Sequence, residues 1–409
     1  MENVVQSEQH ASEALGLGRE VGAVAGPHAA RHDAESSFVS EGYQAVRDTG
    51  YHLLAIPQDL GGHGHGLLGV CRGQAAIGRE CASTSLAIGM HQHAAMTLAW
   101  RRSKGDEEAE RALRLVVDEG LILSASGTLN VSMINVELRP CDDGFVLNGQ
   151  RRLCSGSPGA DALVTAANLL LPEGKRPVSV LAPLQTDGVE ILDDWHAMGM
   201  RGSGSNSVRF TDVFVPREYA LYVDEPQRLA QHRRPAPTEP GREGAQPGIL
   251  MPGLHISLPI IAASYLGAAT GVRDLALQKV AGTPRAKGPA VAHLAGLLTH
   301  EVRAGWWAMQ GIAARTTDDS LGTTAQMVTT MLGKRQIVLS SIRAAELAME
   351  LLGSQSYMND AVFERVLRDV RAGVTHPLPP ENTLMEVGRV AIAEAAAAAA
   401  DGNAAANAE

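Results

Sequence analysis

Trp195-His196-Ala197-Met198-Gly199-Met200-Arg201-Gly202-Ser203-Gly204-Ser205-Asn206-Ser207 runs directly into Val208-Arg209-Phe210-Thr211-Asp212-Val213-Phe214-Val215-Pro216. The first part is a turn dense in glycine and serine, from Gly199 to Ser207, and the second is a strand-like run. Glycines let backbone amides approach a ligand closely, and Ser203, Ser205, Ser207 and Arg201 add hydroxyls and positive charge. Such a surface suits a negatively charged or carbonyl-rich ligand. Taken alone the signal is weak, because most turns of this composition before a strand are only turns.

Working outward, 409 residues exceed one ordinary core, so two or three packed units are expected. Hydrophobic content of 45% without an apolar run long enough to span a bilayer argues against a membrane protein. The opening MENVVQSEQH is polar and has no charged-then-apolar leader, which points to a cytoplasmic protein. Cys71, Cys81, Cys141 and Cys154 show no CxxC pair or metal-like spacing, as reduced thiols would, and no metal is expected. A net charge of −10 speaks against nucleic acid as a partner. With 4% aromatic residues and abundant Ala, packed helices are favoured over a large sandwich.

The pattern divides the chain. Residues 1–120 read as helical, with 1 to about 25 a frayed lead-in, breaks at Pro57 and the glycines of 61–69, and one apolar helix from Thr84 to Trp100 carrying His91 and His93. Residues 121–223 read as a β domain with short strands at Leu121–Ser126, Gly144–Leu147, Ala162–Ala166, Val178–Ala182 and Val208–Val215. The segment 224–248, rich in Pro, Arg, Glu and Gln, reads as an exposed loop. Residues 249–395 return to helices: Leu258–Val280, Ala290–Thr316, Thr323–Leu352 and Asp360–Ala372, with Gly353 and Gly373 at C-caps and Asn359 capping the last. An Ala-rich tail, 396–409, is expected to fray.

Several stretches in register resemble the acyl-CoA dehydrogenase superfamily. They are Ile56–Gly64 (IPQDLGGHG), Phe145–Arg152 (FVLNGQRR), Leu153–Gly156, the opening Trp195–Pro216 segment, Leu352–Tyr357 and Arg368–Arg371. Residues 25 to 392 follow the family order. The resemblance implies an α+β fold: an N-terminal α-helical domain, a middle β-barrel domain and a C-terminal four-helix bundle, assembled as a homotetramer around a flavin, FAD or FMN.

The same resemblance implies which segments wall the flavin. Ser126 and Thr128 lie in the first, Cys154 and Ser155 in the second, with Ser155 where the family places a hydroxyl near flavin N5. Arg201, Ser203 and Ser205 lie in the third, and Gly353, Ser354 and Arg368 complete the expected cofactor contacts. The bland alternative is strand ends whose serines satisfy local backbone. Arg285 stands near where relatives carry an arginine that reaches a neighbouring subunit's cofactor.

Acyl-CoA dehydrogenation needs a carboxylate to remove the proton alpha to a thioester. The family slot after the Arg368-Asp369 element holds Val374-Thr375-His376-Pro377-Leu378-Pro379-Pro380, and the alternative slot two residues before Pro259 holds Ser257. Neither is acidic. His376 resembles the histidine of the superfamily's oxygen-using branch, where an imidazole donates a hydrogen bond or takes the substrate's proton; a helix C-terminus would favour its protonated form. His376, Ser155 and His93 are therefore the catalytic candidates, a capping or core role being the alternative for each histidine. The favoured function is a monooxygenase that hydroxylates or N-oxidises a small molecule, with a separate flavin reductase as partner. An acyl-CoA or acyl-carrier-protein dehydrogenase survives if Glu381 swings inward or if a histidine serves as base; a catalytically inactive flavin-fold binding protein is the third reading.

Overall fold

In this computed structural model residues 2–126, 135–224, 252–358 and 361–406 are described. Thr128, Asn359 and the expected loop with Arg228, Arg233, Arg234 and Arg242 lie outside them.

Small residues at helical spacing set the N-terminal packing. Helices α1 (Glu2–Ala25), α2 (Ala29–Glu35), α3 (Ser40–Asp48), α4 (Leu67–Glu80), α5 (Ala82–Ser103) and α6 (Glu107–Asp118) follow in order. The expected frayed lead-in is instead the 24-residue α1. Ala14, Gly18 and Val21 make its inner stripe, and a Cβ on Gly18 would fall 2.4 Å from the Gly73 carbonyl of α4. A stripe this small carries little hydrophobic signal, which is why its sequence looks aperiodic.

The middle strands are β1 (Leu123–Ala125), β2 (Val136–Cys141), β3 (Gly144–Arg151), β4 (Ala162–Leu171), β5 (Gly174–Pro183), β6 (Val189–Ile191), β7 (Val208–Pro216) and β8 (Ala220–Leu221). The sheet runs β6-β7-β3-β2-β4-β5-β8, with β1 also paired to β4. Its two end strands do not pair with each other, so the described sheet is open and not the expected closed barrel. Alternation along β4 buries Leu163, Ala167 and Leu169 on one face, as a half-buried strand requires. The Leu147-Asn148-Gly149 element makes a bulge against β7: Asn148 bonds Asp212 through both its amide groups, and Asp212 takes φ 51°.

The C-terminal region comprises α7 (Pro252–Ala281), α8 (Pro289–Arg315), α9 (Thr324–Leu352), α10 (Ala361–Arg371) and α11 (Pro380–Ala406). Residues 396–406 of the expected tail are the last part of α11, as a run of strong helix formers favours. α7 is long and apolar enough to cross a membrane, contrary to the expectation that no such run exists, but most of it is buried as the bundle's central helix. It packs on α4 through Gly267 and Gly271, whose added Cβ atoms would lie 2.2 and 2.5 Å from the Ala75 and Arg79 carbonyls. Ile88, Ile260 and Leu266 share one core, so helices from both ends of the chain are packed together. Gly353 does cap α9, with φ +67°. Gly373 is a packing glycine and not a left-handed cap: a Cβ there would meet Val338 at 2.8 Å and Tyr265 at 3.1 Å.

Candidate active site

The Trp195–Ser207 loop is wedged between domains by its glycines. An added Cβ at Gly199 would lie 2.4 Å from the backbone of Arg368, at Gly202 2.8 Å from Val39, and at Gly204 2.7 Å from Phe38. These glycines therefore spend their freedom on close protein packing, where the composition suggested approach to a ligand. Two acids of α2 and α10 grip the loop. Asp369 accepts the Met200 N–H at 2.5 Å, and burial raises its carboxyl to about 6 despite that bond. Asp33 takes the Arg368 guanidinium on both oxygens, at 2.9 and 2.5 Å, and Arg368 also donates to the Met198 carbonyl at 3.1 Å. Arg201 donates to the Ala197 carbonyl at 3.1 Å and the Asp33 carbonyl at 3.5 Å. Both guanidinium groups expected at the cofactor are thus engaged by protein, because they hold the loop's shape.

Three of the predicted serines meet. Ser203 Oγ lies 2.7 Å from Ser205 Oγ, which lies 2.7 Å from Ser155 Oγ. Ser203 and Ser205 are buried, while Ser155 is partly exposed. The backbone fixes the ends of this chain: Gly156 N–H donates to the Ser203 carbonyl at 2.9 Å, and Ser124 Oγ donates to the Ser155 carbonyl at 2.9 Å. Were the chain to donate inward, the buried Ser203 hydroxyl would have no acceptor among the described residues. Donation therefore runs from Ser203 to Ser205 to Ser155, and the Ser155 O–H is left to point outward.

His376 follows α10, on a loop held from below. Its Nδ1 lies 2.5 Å from the Tyr265 hydroxyl of α7. Lys334 of α9 donates to the carbonyls of Gly373, His376 and Leu378 at 3.0, 2.8 and 2.9 Å. Although part of its surface is open, desolvation, with the Lys334 cation second, pulls the imidazole down to about 4. The ring is thus neutral, opposite to the protonated form expected at a helix end, because these two effects outweigh the helix dipole. Met200, Ala125, Tyr265 and Val370 belong to one apolar cluster, so the β1 end, the wedge loop and the histidine's support share a core.

The remaining candidates scatter. His91 is a core histidine: Nδ1 accepts the Leu123 N–H at 3.0 Å and Nε2 donates to the His52 carbonyl at 2.7 Å, with burial pulling it to about 3. His93 lies on the α5 face toward α7, between Gly89 and Thr97, whose neighbours there include Ile260 and Gly253; burial pulls it to about 4. Ser126 accepts from Arg151 at 3.0 Å. The Cys154 thiol is turned into the β-domain core, where burial pushes it up to about 12. Gly353 and Ser354 lie roughly 28 Å along α9 from Lys334 at the rise of an α-helix, so the chain does not bring them to His376. Arg285 donates to the Leu351 and Leu352 carbonyls at 2.9 and 3.2 Å and so caps α9 of its own chain. Ser257 donates to Leu254, and the Glu381 side chain is 81% exposed and 3.7 Å from Arg335. Tyr265, Lys334 and Asp33 were missed by sequence reasoning: a tyrosine or lysine within a helical run has no local mark of burial.

The donor set fits a flat, acceptor-rich ring. Ser155 presents an outward O–H, and the partly exposed His376 leaves Nε2 without a partner among the described residues. Among the described residues no group of three or more His, Cys, Asp or Glu could hold a metal ion.

Comparison with known proteins identifies the family and the fold. Residues 19–113 match the acyl-CoA dehydrogenase N-terminal domain and residues 259–378 the acyl-CoA dehydrogenase C-terminal domain. Isobutylamine N-hydroxylase of Streptomyces viridifaciens is 28% identical over 369 residues, covering 86% of this chain and 88% of that protein. Mitochondrial isovaleryl-CoA dehydrogenase of Oryza sativa subsp. japonica is 26% identical over 262 residues, covering 62% and 59%. The FMN-bound structure of TdsC from Paenibacillus sp. A11-2 superposes with a TM-score of 0.76 at 24% identity, covering 92% of this chain and 96% of that one.

Proposed function

The chain belongs to the acyl-CoA dehydrogenase superfamily, and from that premise we propose that it is a flavin-dependent monooxygenase acting on a small molecule. The observation that carries this reading is the base slot, where a neutral histidine stands and no carboxylate does, while Glu381 faces solvent. An acyl-CoA dehydrogenase would need a base beside the substrate's acidic carbon, and an imidazole drawn down to about 4 is a weak one. One relative that is similar along most of its length is named for N-hydroxylation, and another of nearly equal coverage carries an acyl-CoA dehydrogenase name, so the base slot and not coverage decides the reading. A nitrogen or carbon centre of a small amine, phenol or similar acceptor is the expected target.

Bound FAD or FMN, once reduced, supplies the electrons for O2 to place one oxygen atom on the substrate and release the other as water. Ser155, its donor direction set by Ser203 and Ser205, would hydrogen-bond the ring and fix its edge. The wedge loop would close one wall and exclude water there, its shape held by Asp369, Asp33 and Arg368. His376 would offer an N–H from Nε2 toward the reacting oxygen, and His93 is the second candidate from α5. In this reading a separate reductase supplies the reduced flavin, and the protein is a cytoplasmic homotetramer.

Rapid mixing of the anaerobically reduced, flavin-loaded protein with O2 tests the class. A spectral transient before oxidised flavin returns is the expected result; direct reoxidation would favour the dehydrogenase. His376→Ala should lower product formation about 100-fold or more, the range for loss of a proton-handling group, while Glu381→Ala leaves it unchanged. The reverse pattern would sink the oxygenase reading.

A further inference from the structure

We propose that Lys334 is a positioning residue for His376 and that, with Tyr265, it fixes the imidazole as a neutral donor from Nε2. The proposal rests on the role of His376 given above and says how the fold prepares it.

A lysine that is 2% exposed with no ion-pair partner among the described residues is costly, because a buried ammonium forfeits its hydration. All three of its N–H bonds go instead to main-chain carbonyls, of Gly373, His376 and Leu378. Those carbonyls bracket the histidine, so the lysine clamps the loop that carries it. An apolar side chain at 334 would pack as well and leave that loop untethered. Lys334 itself is pulled down to about 8 by the same burial, a penalty the three bonds offset.

Tyr265 supplies the second half. Its hydroxyl is buried, and the described residues offer it His376 Nδ1 and no other acceptor. The phenol keeps its proton, since burial holds it well above its usual range, and so it donates to Nδ1. The neutral ring then carries its own proton on Nε2. A second proton on Nδ1 would leave the phenol without an acceptor and place a cation beside Lys334. The other charged groups around the loop do not offset this. Asp369 faces Tyr265 from α10, Arg335 donates to the Pro380 carbonyl, and Glu381 of α11 is exposed beside Arg335. The missing Cβ of Gly373 gives the Tyr265 ring its space.

Histidine-labelled full-length protein, with and without FMN, tests this by NMR titration, with His376→Gln assigning the signal. In the parent chain His376 should stay neutral with its proton on Nε2 down to about pH 5. Lys334→Met should raise its midpoint by roughly one unit or more, the scale on which a nearby charge acts, and Lys334→Arg should restore it. Tyr265→Phe should mix the two tautomers. A folded Lys334→Met chain with unchanged midpoint, or Tyr265→Phe with unchanged tautomer, overturns the proposal. Should Lys334→Met not fold, Lys334→Gln, which keeps two N–H donors and drops the charge, decides on the same readout. The titration needs no turnover: a His376→Ala variant with full activity would sink the functional reading alone, and an unshifted midpoint the positioning alone.

Discussion

Two turns of nearly the same composition, Gly199–Ser207 and Gly353–Ser356, do opposite things. Every glycine of the first that is named above is packed closely against another part of the protein, with Gly199 set on the Arg368 backbone and Gly202 on the Val39 side chain. Gly353 of the second has nothing within 4 Å of where its Cβ would stand, and Ser354 is exposed. One turn is a wedge that transmits the shape of α10 and α2 into the serine chain; the other is an open corner at the far end of α9. Glycine in a sequence marks backbone freedom, but only the packed structure tells whether the freedom saves space for protein or leaves it for something else.

The largest break in this comparison is Gly199→Ala. The new Cβ would meet the Arg368 carbonyl group at 2.4 Å, and neither backbone can yield without releasing the Asp369–Met200 bond. We expect a loss of about 3 kcal/mol or more in chemical denaturation, the upper range for overpacking, together with loss of flavin retention. A folded variant of parent stability would show that the loop is not a wedge.

How much of this could be read in the chain differs by region. The β hairpins, α5 and the bundle helices were legible because alternation or periodic apolar residues and turn glycines mark them. The order of motifs made the family legible. α1 and the whole of α11 were not, since their Ala-rich runs carry little amphipathic contrast and the glycines of α1 count against a helix. β2, with Pro140 near its end and little alternation, was missed for want of a pattern. At the site, His376 and the serines were visible as residue types. Lys334 reads as a surface lysine until the fold buries it, and Arg368 reads as a ligand contact until Asp33 is placed against it, more than three hundred positions away. Contacts of that separation leave no local trace in one sequence.

Acid sharpens the comparison between the two loops that border the site. His376 is depressed to about 4 from an ordinary value near 6.5, so it contributes stability above about pH 6.5 that is lost as pH falls through 4. Asp369, raised to about 6 from near 3.8, has the opposite sign: its contribution is complete below about 3.8 and is lost as pH rises through 6. As pH falls from 6.5 to 4, protonation of His376 should loosen its loop, while protonation of Asp369 relieves a buried charge but weakens its bond to the Met200 N–H, which favours the carboxylate. Protection from amide exchange should therefore fall at Met200 with a midpoint near pH 6 and around residues 373–378 with a midpoint near pH 4. His376→Gln should remove a stability slope worth up to roughly 3 kcal/mol across that window, at 1.36 kcal/mol per unit. A single shared midpoint would mean that the two loops are one cooperative unit.

Gly353→Ala is the smallest effect, and its size decides whether the second turn is open. Gly353 sits at φ 67°, ψ −141°, a region that L side chains rarely adopt, so the substitution carries a backbone cost of about 1–2 kcal/mol. It carries no steric cost in the isolated chain, because no atom stands within 4 Å. The loss should thus be clearly below that of Gly199→Ala, and Arg285 should still cap α9 through Leu351 and Leu352. Should a neighbouring subunit or its cofactor cover this corner, the same methyl would collide there. Flavin retention or tetramer content would then fall further than chain stability does. A matched loss in all three would leave the turn a bare helix cap, and an excess loss in retention would make it a contact between subunits.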